Sequence, residues 1–414
     1  MNWWIIEDSL RDSRGHWFEY IQTFRDGLEE AGDCCKIFAD QSAEPWLLEA
    51  LGASPALPNS IWARMSDGAP KWKRLLRIPS HGWATYRAIS CLLKANKKEK
   101  TLEEPDLIFV PTVSVHHLLA WWPLIQGPLK RTSTTKVLLF FPNTPLFLDE
   151  DGRAQLNPDP SAQLFKWLIR KLAPHVESKR VILGAETEPM VEALTELIGV
   201  NFTYFPHPVQ LNQRTSSFRE TDRTARPLFA AYGAARHEKG SDLLQTAIRR
   251  FLEKQTHTKA AFKLQWLGDF KDEKGQTLSK DPWLEKQVNF EFITDYFKEG
   301  SYMKQVARTD VMLLPYRASY SLRVSRVVIE AMIMGIPVIT TQGTTLHQQA
   351  EAFGAVVSCQ PNSMESLTEA IEHTVNNLDS LQDMAGQRAE SAREHFSVNH
   401  FRQLILKMNE ESKG

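Results

Sequence analysis

A chain of 414 residues with 42% apolar, 24% charged and 10% aromatic residues is long enough for two domains that each bury a core. Its 50 acidic and 49 basic residues give a formal charge of -1, which excludes a global electrostatic pull toward nucleic acid or anionic lipid. The four cysteines, Cys34, Cys35, Cys91 and Cys359, have no CxxC pair and no zinc-ligand spacing, so neither a disulfide framework nor a metal site is expected.

Four apolar residues at 3–6 read as a buried strand, and Trp17, Tyr20, Ile21, Phe24 and Leu28 mark one face of a helix over 16–31. With the intervening loop containing Gly15, this is the opening unit of a doubly wound α/β fold. A strand is expected at 36–38, whereas 42–80, with its prolines and isolated tryptophans, carries no clear period. Residues 82–98 read as a helix, LIFVPT at 107–112 as a buried strand, and the segment from Val115 as an apolar helix. KVLLFFPNTP at 136–145 is a strand running into a proline-rich loop. A helix at 161–174, the strand RVILGA, a helix at 187–198 and NFTYFPHP at 201–208 complete the first half.

The polar stretch 211–227 lacks apolar periodicity and is the expected linker. Beyond it come LFAAYG as a strand, a helix over 241–254, and strands at FKLQWLG and VNFEFI. A helix through 303–307, the strand DVMLLPY, a helix over 326–334, strands PVITT and AVVSC, and a helix at 363–378 follow. That alternation implies a second, mostly parallel sheet with helices on both faces. Two helical stretches, 379–394 and 398–410, end the pattern. The expected domains are therefore 1–215 and 216–390, with 391–414 as a terminal helical segment.

No apolar window reaches the length of a membrane span of about 18 residues, and LLAWWPLI at 118–125 is too short to cross. The start lacks the basic flank and apolar run of a secretory leader, which makes the cytoplasm the expected compartment. The basic, aromatic run at 71–87, with Lys94, Lys97, Lys98 and Lys100 beyond it, is either a solvated helical face or a patch for an acceptor or a peripheral membrane contact.

Two segments carry the chemistry. In FAAYGAARHEKGSDLL, 229–244, Gly233 ends a strand, Ser241 and Asp242 are positioned to cap the next helix, and Arg236 and Lys239 lie between. Cations beside a helix amino terminus suit a diphosphate, although a solvated basic loop has the same composition. In the second segment, 310–344, a strand ends at Pro315 and its loop carries Tyr316, Arg317, Tyr320, Arg323, Ser325 and Arg326. Glu330 follows among apolar neighbours and needs a partner, either a ribose diol or a loop arginine.

Gly233, Arg236 and Lys239-Gly240, followed by Glu330-Ala331, Gly335 and Pro337-Val338, match in order and spacing the signatures of a known group. The chain resembles the retaining glycosyltransferases with two Rossmann-like doubly wound domains facing across a cleft, the GT-B type, group 1 or family 4-like. The resemblance implies that Arg236 and Lys239 neutralise the diphosphate of a nucleotide-sugar donor and that Glu330 holds its ribose. It puts Ser325 and Arg326 beside the phosphates and a base pocket near Phe292 and Ile293. It also implies an acceptor-side first domain, with Gly15 and His16 at the cleft, His116 or His117 on the donor sugar, and a last helix packed on that domain. Asn143 and Glu186 are weaker candidates for acceptor contacts.

The sequence departs from the pattern at Leu322, where many members have a glutamate, at Arg323-Val324-Ser325-Arg326, which replaces a glycine-rich turn, and at Ala234. The implied reaction is sugar transfer to a hydroxyl of a glycan or small-molecule acceptor with retention, needing neither metal nor cofactor and no nucleic acid. Alternatives are a catalytically degenerate nucleotide-sugar or carbohydrate-binding protein and a nucleotide-sugar epimerase; a dehydrogenase is disfavoured because no GxGxxG follows a strand.

Overall fold

Near-continuous apolar runs give parallel strands buried on both faces, and the computed structural model contains two sheets built this way. The structure describes residues 1–12, 17–61, 71–99, 104–131, 134–149, 151–209, 226–297 and 301–410. The chain forms two compact units, Met1–Pro208 with Ser397–Gly414, and Val209–Phe396. The second boundary thus falls after Phe396 instead of at 390, while the expected boundary at 215 and most of the expected linker lie outside the described residues.

The first unit begins β1 (Asn2–Glu7), α1 (Trp17–Glu30), β2 (Cys34–Asp40), α2 (Pro45–Leu51), β3 (Ser54–Leu57) and α3 (Lys71–Glu99). The aperiodic 42–80 region therefore holds a helix, a strand and the start of α3, whose helical signal is interrupted by Pro79. Next come β4 (Leu107–Val110), α4 (Val115–Gln126), β5 (Lys136–Phe141), the loop at 142–145, and the antiparallel pair β6 (Leu146–Leu148) and β7 (Ala154–Leu156), which was not expected from the sequence. Helix α5 (Pro160–Glu177), β8 (Val181–Ala185), α6 (Glu188–Ile198) and β9 (Thr203–Tyr204) follow. Asp159 and Thr187 cap α5 and α6 through their side chains, each ahead of a first-turn proline.

These strands form one parallel sheet in the order β3-β2-β1-β4-β5-β8-β9. Period-two alternation sends Trp4, Ile108 and Leu139 into one core and Trp3, Phe109 and Phe140 into the other. The strand order reverses between β1 and β4.

The second unit runs β10 (Leu228–Ala231), α7 (Ser241–Lys254), β11 (Ala261–Gln265), the hairpin β12 (Phe270–Lys271) and β13 (Thr277–Leu278), β14 (Phe290–Ile293), α8 (Tyr302–Ala307) and β15 (Val311–Leu314). It continues through α9 (Arg326–Ile333), β16 (Val338–Thr341), α10 (Thr345–Phe353), β17 (Val356–Cys359), α11 (Met364–Asn376) and α12 (Leu378–His395). Helix α10, between the last two strands, was not expected from the sequence. The parallel sheet has the order β14-β11-β10-β15-β16-β17, reversing between β10 and β15.

The last helix, α13 (Val398–Glu410), belongs to the first unit. Phe401 lies 4.7 Å from Phe205, 5.0 Å from Phe24 and 5.6 Å from Phe109 by ring centroids. Arg402 clamps the Asp33 carboxylate at 2.7 and 2.9 Å. No helix among the described residues is long and apolar enough to cross a membrane.

Candidate functional site

The loop from β10 to α7 is shaped by two glycines in the left-handed region. Gly233 has φ of 88°, and a Cβ there would meet Lys239 Nζ at 2.5 Å, so the lysine runs over the bare glycine. Gly240 has φ of 67°, and a Cβ there would collide with the Pro315 carbonyl oxygen at the end of β15. Gly233 N–H donates to Gln265 Oε1 at 2.7 Å, fixing the loop to the end of β11.

The expected cap of α7 is not made. Gly240 occupies the cap position, Ser241 Oγ accepts the Arg236 N–H at 3.0 Å, and Asp242 is held by Arg317 at 2.7 and 2.8 Å. A bidentate arginine partner outcompetes the helix for the carboxylate, which leaves the amino terminus of α7 without a side-chain cap.

A depression at the carboxyl ends of β10, β11 and β15 is lined by Tyr232, Gly233, Lys239, Gln265, Trp266 and Tyr316. It lies at the switch point of the sheet, where open α/β sheets take their ligands. Lys239 Nζ lies 5.8 Å from the Tyr316 ring centroid and makes no hydrogen bond or ion pair with the described residues. Burial, then the nearby Arg236, push its pKa down to about 8.

Arg236 is far more open, with its side chain 60% exposed and 3.5 Å from Glu238. Arg323 approaches the same carboxylate at 3.8 Å while its guanidinium lies 5.5 Å from the Tyr320 ring centroid. Glu238, to which the sequence alone assigns no role, is thus the one carboxylate that these contacts give to Arg236 and Arg323. Local charge stays positive and favours an anion.

The remaining expected donor residues lie on α9 and β14 or beside them. Glu330 is fully buried on α9, its Oε1 2.8 Å from Arg326 Nε, and its Oε2 accepts the Tyr302 hydroxyl. Arg326 thus faces the glutamate one turn along its own helix. Ser325 is buried at the start of α9. Phe292 and Ile293 are the last two residues of β14 and pack against opposite cores of the sheet. Their side chains point to opposite faces of the sheet, as successive strand residues do.

In the first unit, Gly15 and His16 lie outside the described residues. Asn143 is exposed after β5, whereas Glu186 is buried and bonded to His207 Nδ1 at 2.8 Å. His116 and His117 open α4 and are both 4% exposed. His117 Nε2 is 3.1 Å from Asp8 Oδ1, and His81 Nε2, from α3, is 3.2 Å from Asp8 Oδ2. Asp8 follows β1 directly, so this cluster occupies the switch point of the first sheet. Burial, then the charge of His117, push His116 down to about 2, while burial, then Asp8, push Glu7 up to about 7. The sequence offered no spacing signal for Asp8 and His81 beside the α4 histidines.

The chain superposes over its whole length on a sucrose-phosphate synthase from Thermosynechococcus elongatus, with TM-score 0.62, 13% identity, and 100% of this chain and 98% of that chain covered. A glycosyltransferase from Rickettsia africae matches with TM-score 0.62, 13% identity, and coverage of 99% and 98%. HepE from Anabaena, solved in complex with UDP-glucose, matches with TM-score 0.60, 11% identity, and coverage of 99% and 100%. The chain has the GT-B fold. Within this GT-B chain, residues 212–392 match the family described as glycosyl transferases group 1, a region that contains the whole Lys239 depression. A comparison with curated proteins gives no match.

Proposed function

We propose that this chain is a retaining, family 4-like glycosyltransferase that moves a sugar from a nucleoside-diphosphate sugar to a hydroxyl of a glycan or small-molecule acceptor. One observation carries the reading. A half-buried ammonium, Lys239, stands without a carboxylate partner among the described residues, beside an uncapped helix terminus at the switch point of the second sheet. A diphosphate supplies the missing charge and accepts the free N–H groups. The UDP-glucose complex of the similarly folded HepE supports a nucleotide-sugar donor.

In this reaction the bond from the anomeric carbon to the diphosphate oxygen breaks and a bond to the acceptor oxygen forms on the same face. The acceptor proton passes to the departing phosphate oxygen. Negative charge grows on that oxygen in the transition state, and Lys239, assisted by Arg236, stabilises it more than the ground state. Acceptor recognition is assigned to the first unit.

The test is a screen for nucleoside diphosphate released from UDP-, GDP-, ADP- and dTDP-sugars with a mixed sugar acceptor pool. Release from one donor, lost in Lys239→Ala, supports transfer at this site. Saturable donor binding without turnover would identify a binding protein instead, a reading favoured by one observation, the engagement of Glu330 by Arg326 and Tyr302. No binding of any donor would overturn both.

A further inference from the structure

We propose that Arg317 is a positioning residue of the donor site: it holds the Asp242 carboxylate so that the amino terminus of α7 stays open to the donor diphosphate. The inference rests on the donor reading given above, and it assigns Arg317 no contact with the donor itself.

Asp242 stands in the first turn of α7. Carboxylates and phosphates are drawn to the same place, the unpaired N–H groups and positive end of a helix, so a free carboxylate here competes with the diphosphate and repels it. Arg317 removes the competitor. Its Nη1 and Nη2 donate to the two Asp242 oxygens at 2.8 and 2.7 Å, and the arginine side chain is only 10% exposed. Burial alone raises the Asp242 carboxyl, but the hydrogen bonds and charge of Arg317 hold it below the usual carboxylate range, so the pair is ionised at neutral pH.

The guanidinium is itself fixed from two further directions. Nη1 also donates to the His237 carbonyl, and Nε donates to Asn362 Oδ1 at 2.9 Å. Asn362, in the left-handed region with φ of 53°, lies in the turn between β17 and α11. The Arg317 backbone N–H donates to the Glu238 carbonyl at 2.9 Å. Arg317 thus joins the loop after β15 to the turn at His237–Lys239, and these bonds leave little of its guanidinium for a ligand. The arrangement acts on the donor in two separable ways: it neutralises Asp242, and it shapes the Lys239 turn. The proposal assigns the larger effect to the first.

The experiment is calorimetric titration of the full chain with UDP, GDP, ADP and dTDP, applied to the wild type, Arg317→Ala, Asp242→Asn and the double variant. For the nucleotide that the wild type binds, Arg317→Ala should weaken binding about 10-fold or more, Asp242→Asn should not weaken it, and the double variant should recover to within about 3-fold of the wild type. Recovery separates charge from shape, because the double variant has also lost the His237 and Asn362 contacts. A double variant as weak as Arg317→Ala overturns the proposal, as does an Arg317→Ala chain that binds like the wild type. Should Arg317→Ala fail to fold by far-ultraviolet circular dichroism, Arg317→Lys decides. It keeps a charge beside Asp242 but gives up the fork that reaches His237 and Asn362, so it should bind within about 3-fold of the wild type, and a larger loss in the folded chain overturns the proposal. A wild type that binds none of the four nucleotides overturns the donor reading and this inference with it, a failure visible before any substitution is made.

Discussion

Removing the Lys239 ammonium should impair donor use far more than removing the Arg236 guanidinium, although both stand on one loop. A unit charge about 4 Å from a phosphate oxygen contributes about 4 kcal/mol at an effective dielectric near 20, and about 1 kcal/mol in water. Lys239 is pushed down to about 8 by burial, so its desolvation has been incurred before the donor arrives. Arg236 is 60% exposed and remains close to the aqueous limit. After allowance for partial solvent access, Lys239→Ala should lose about 2–3 kcal/mol of transition-state stabilisation, a drop of about 30–150-fold in kcat/KM. Arg236→Ala should lose under about 1 kcal/mol, or roughly 5-fold. The assay is initial-rate release of nucleoside diphosphate at pH 7, at low salt and at about 0.5 M salt, where the Debye length shrinks to about 4 Å. Salt should erase the Arg236 effect and spare most of the Lys239 effect. An Arg236→Ala defect equal to or larger than that of Lys239→Ala would refute the argument from burial.

Three further outcomes test the same structure. Lys239→Met should stabilise the ligand-free protein by about 1–2 kcal/mol at pH 7, after discounting for partial exposure. The pKa falls from 10.5 to about 8 on folding, so the unfolded chain binds the proton more tightly; wild-type stability rises between those values and the gap to the variant closes, which urea melts at pH 7 and pH 10.5 would show. Gly240→Ala should cost more stability than Gly343→Ala, because both sites have positive φ, of 67° and 79°, but only Gly240 faces a carbonyl. About 1 kcal/mol is expected for Gly343→Ala and at least about 2 kcal/mol for Gly240→Ala, and equal losses would remove the case for that close approach. Phe401→Ala should cost about 3–5 kcal/mol in a thermal or urea melt, since its ring is wholly buried among Phe24, Phe109 and Phe205.

Much of the fold was legible because its signals are local. LIFV, KVLLFF and VMLL are apolar on nearly every residue, which only a strand covered on both faces tolerates, and the spacing from Gly233 to Lys239-Gly240 marks a strand, tight loop and helix. The alternation that sends Phe292 and Ile293 to opposite faces of β14 is equally local. Helix α3 was missed at its start because Pro79 interrupts the pattern on which helix recognition depends.

Polar partnerships were decided elsewhere. Asp242 has the sequence position of a helix cap, but the fold brings Arg317 to it, and Glu330, which the sequence left between a ribose and a loop arginine, is held by Arg326 and Tyr302. Asp8, His81, His116 and His117 come from the end of β1, from α3 and from α4, and meet because β1 pairs in parallel with β4, so that both strands end at one edge. Periodicity is set by neighbours a few residues apart and survives in a linear reading. The partner of a charged or ring nitrogen group depends on strand order and register across a hundred residues, and only the folded chain contains that information.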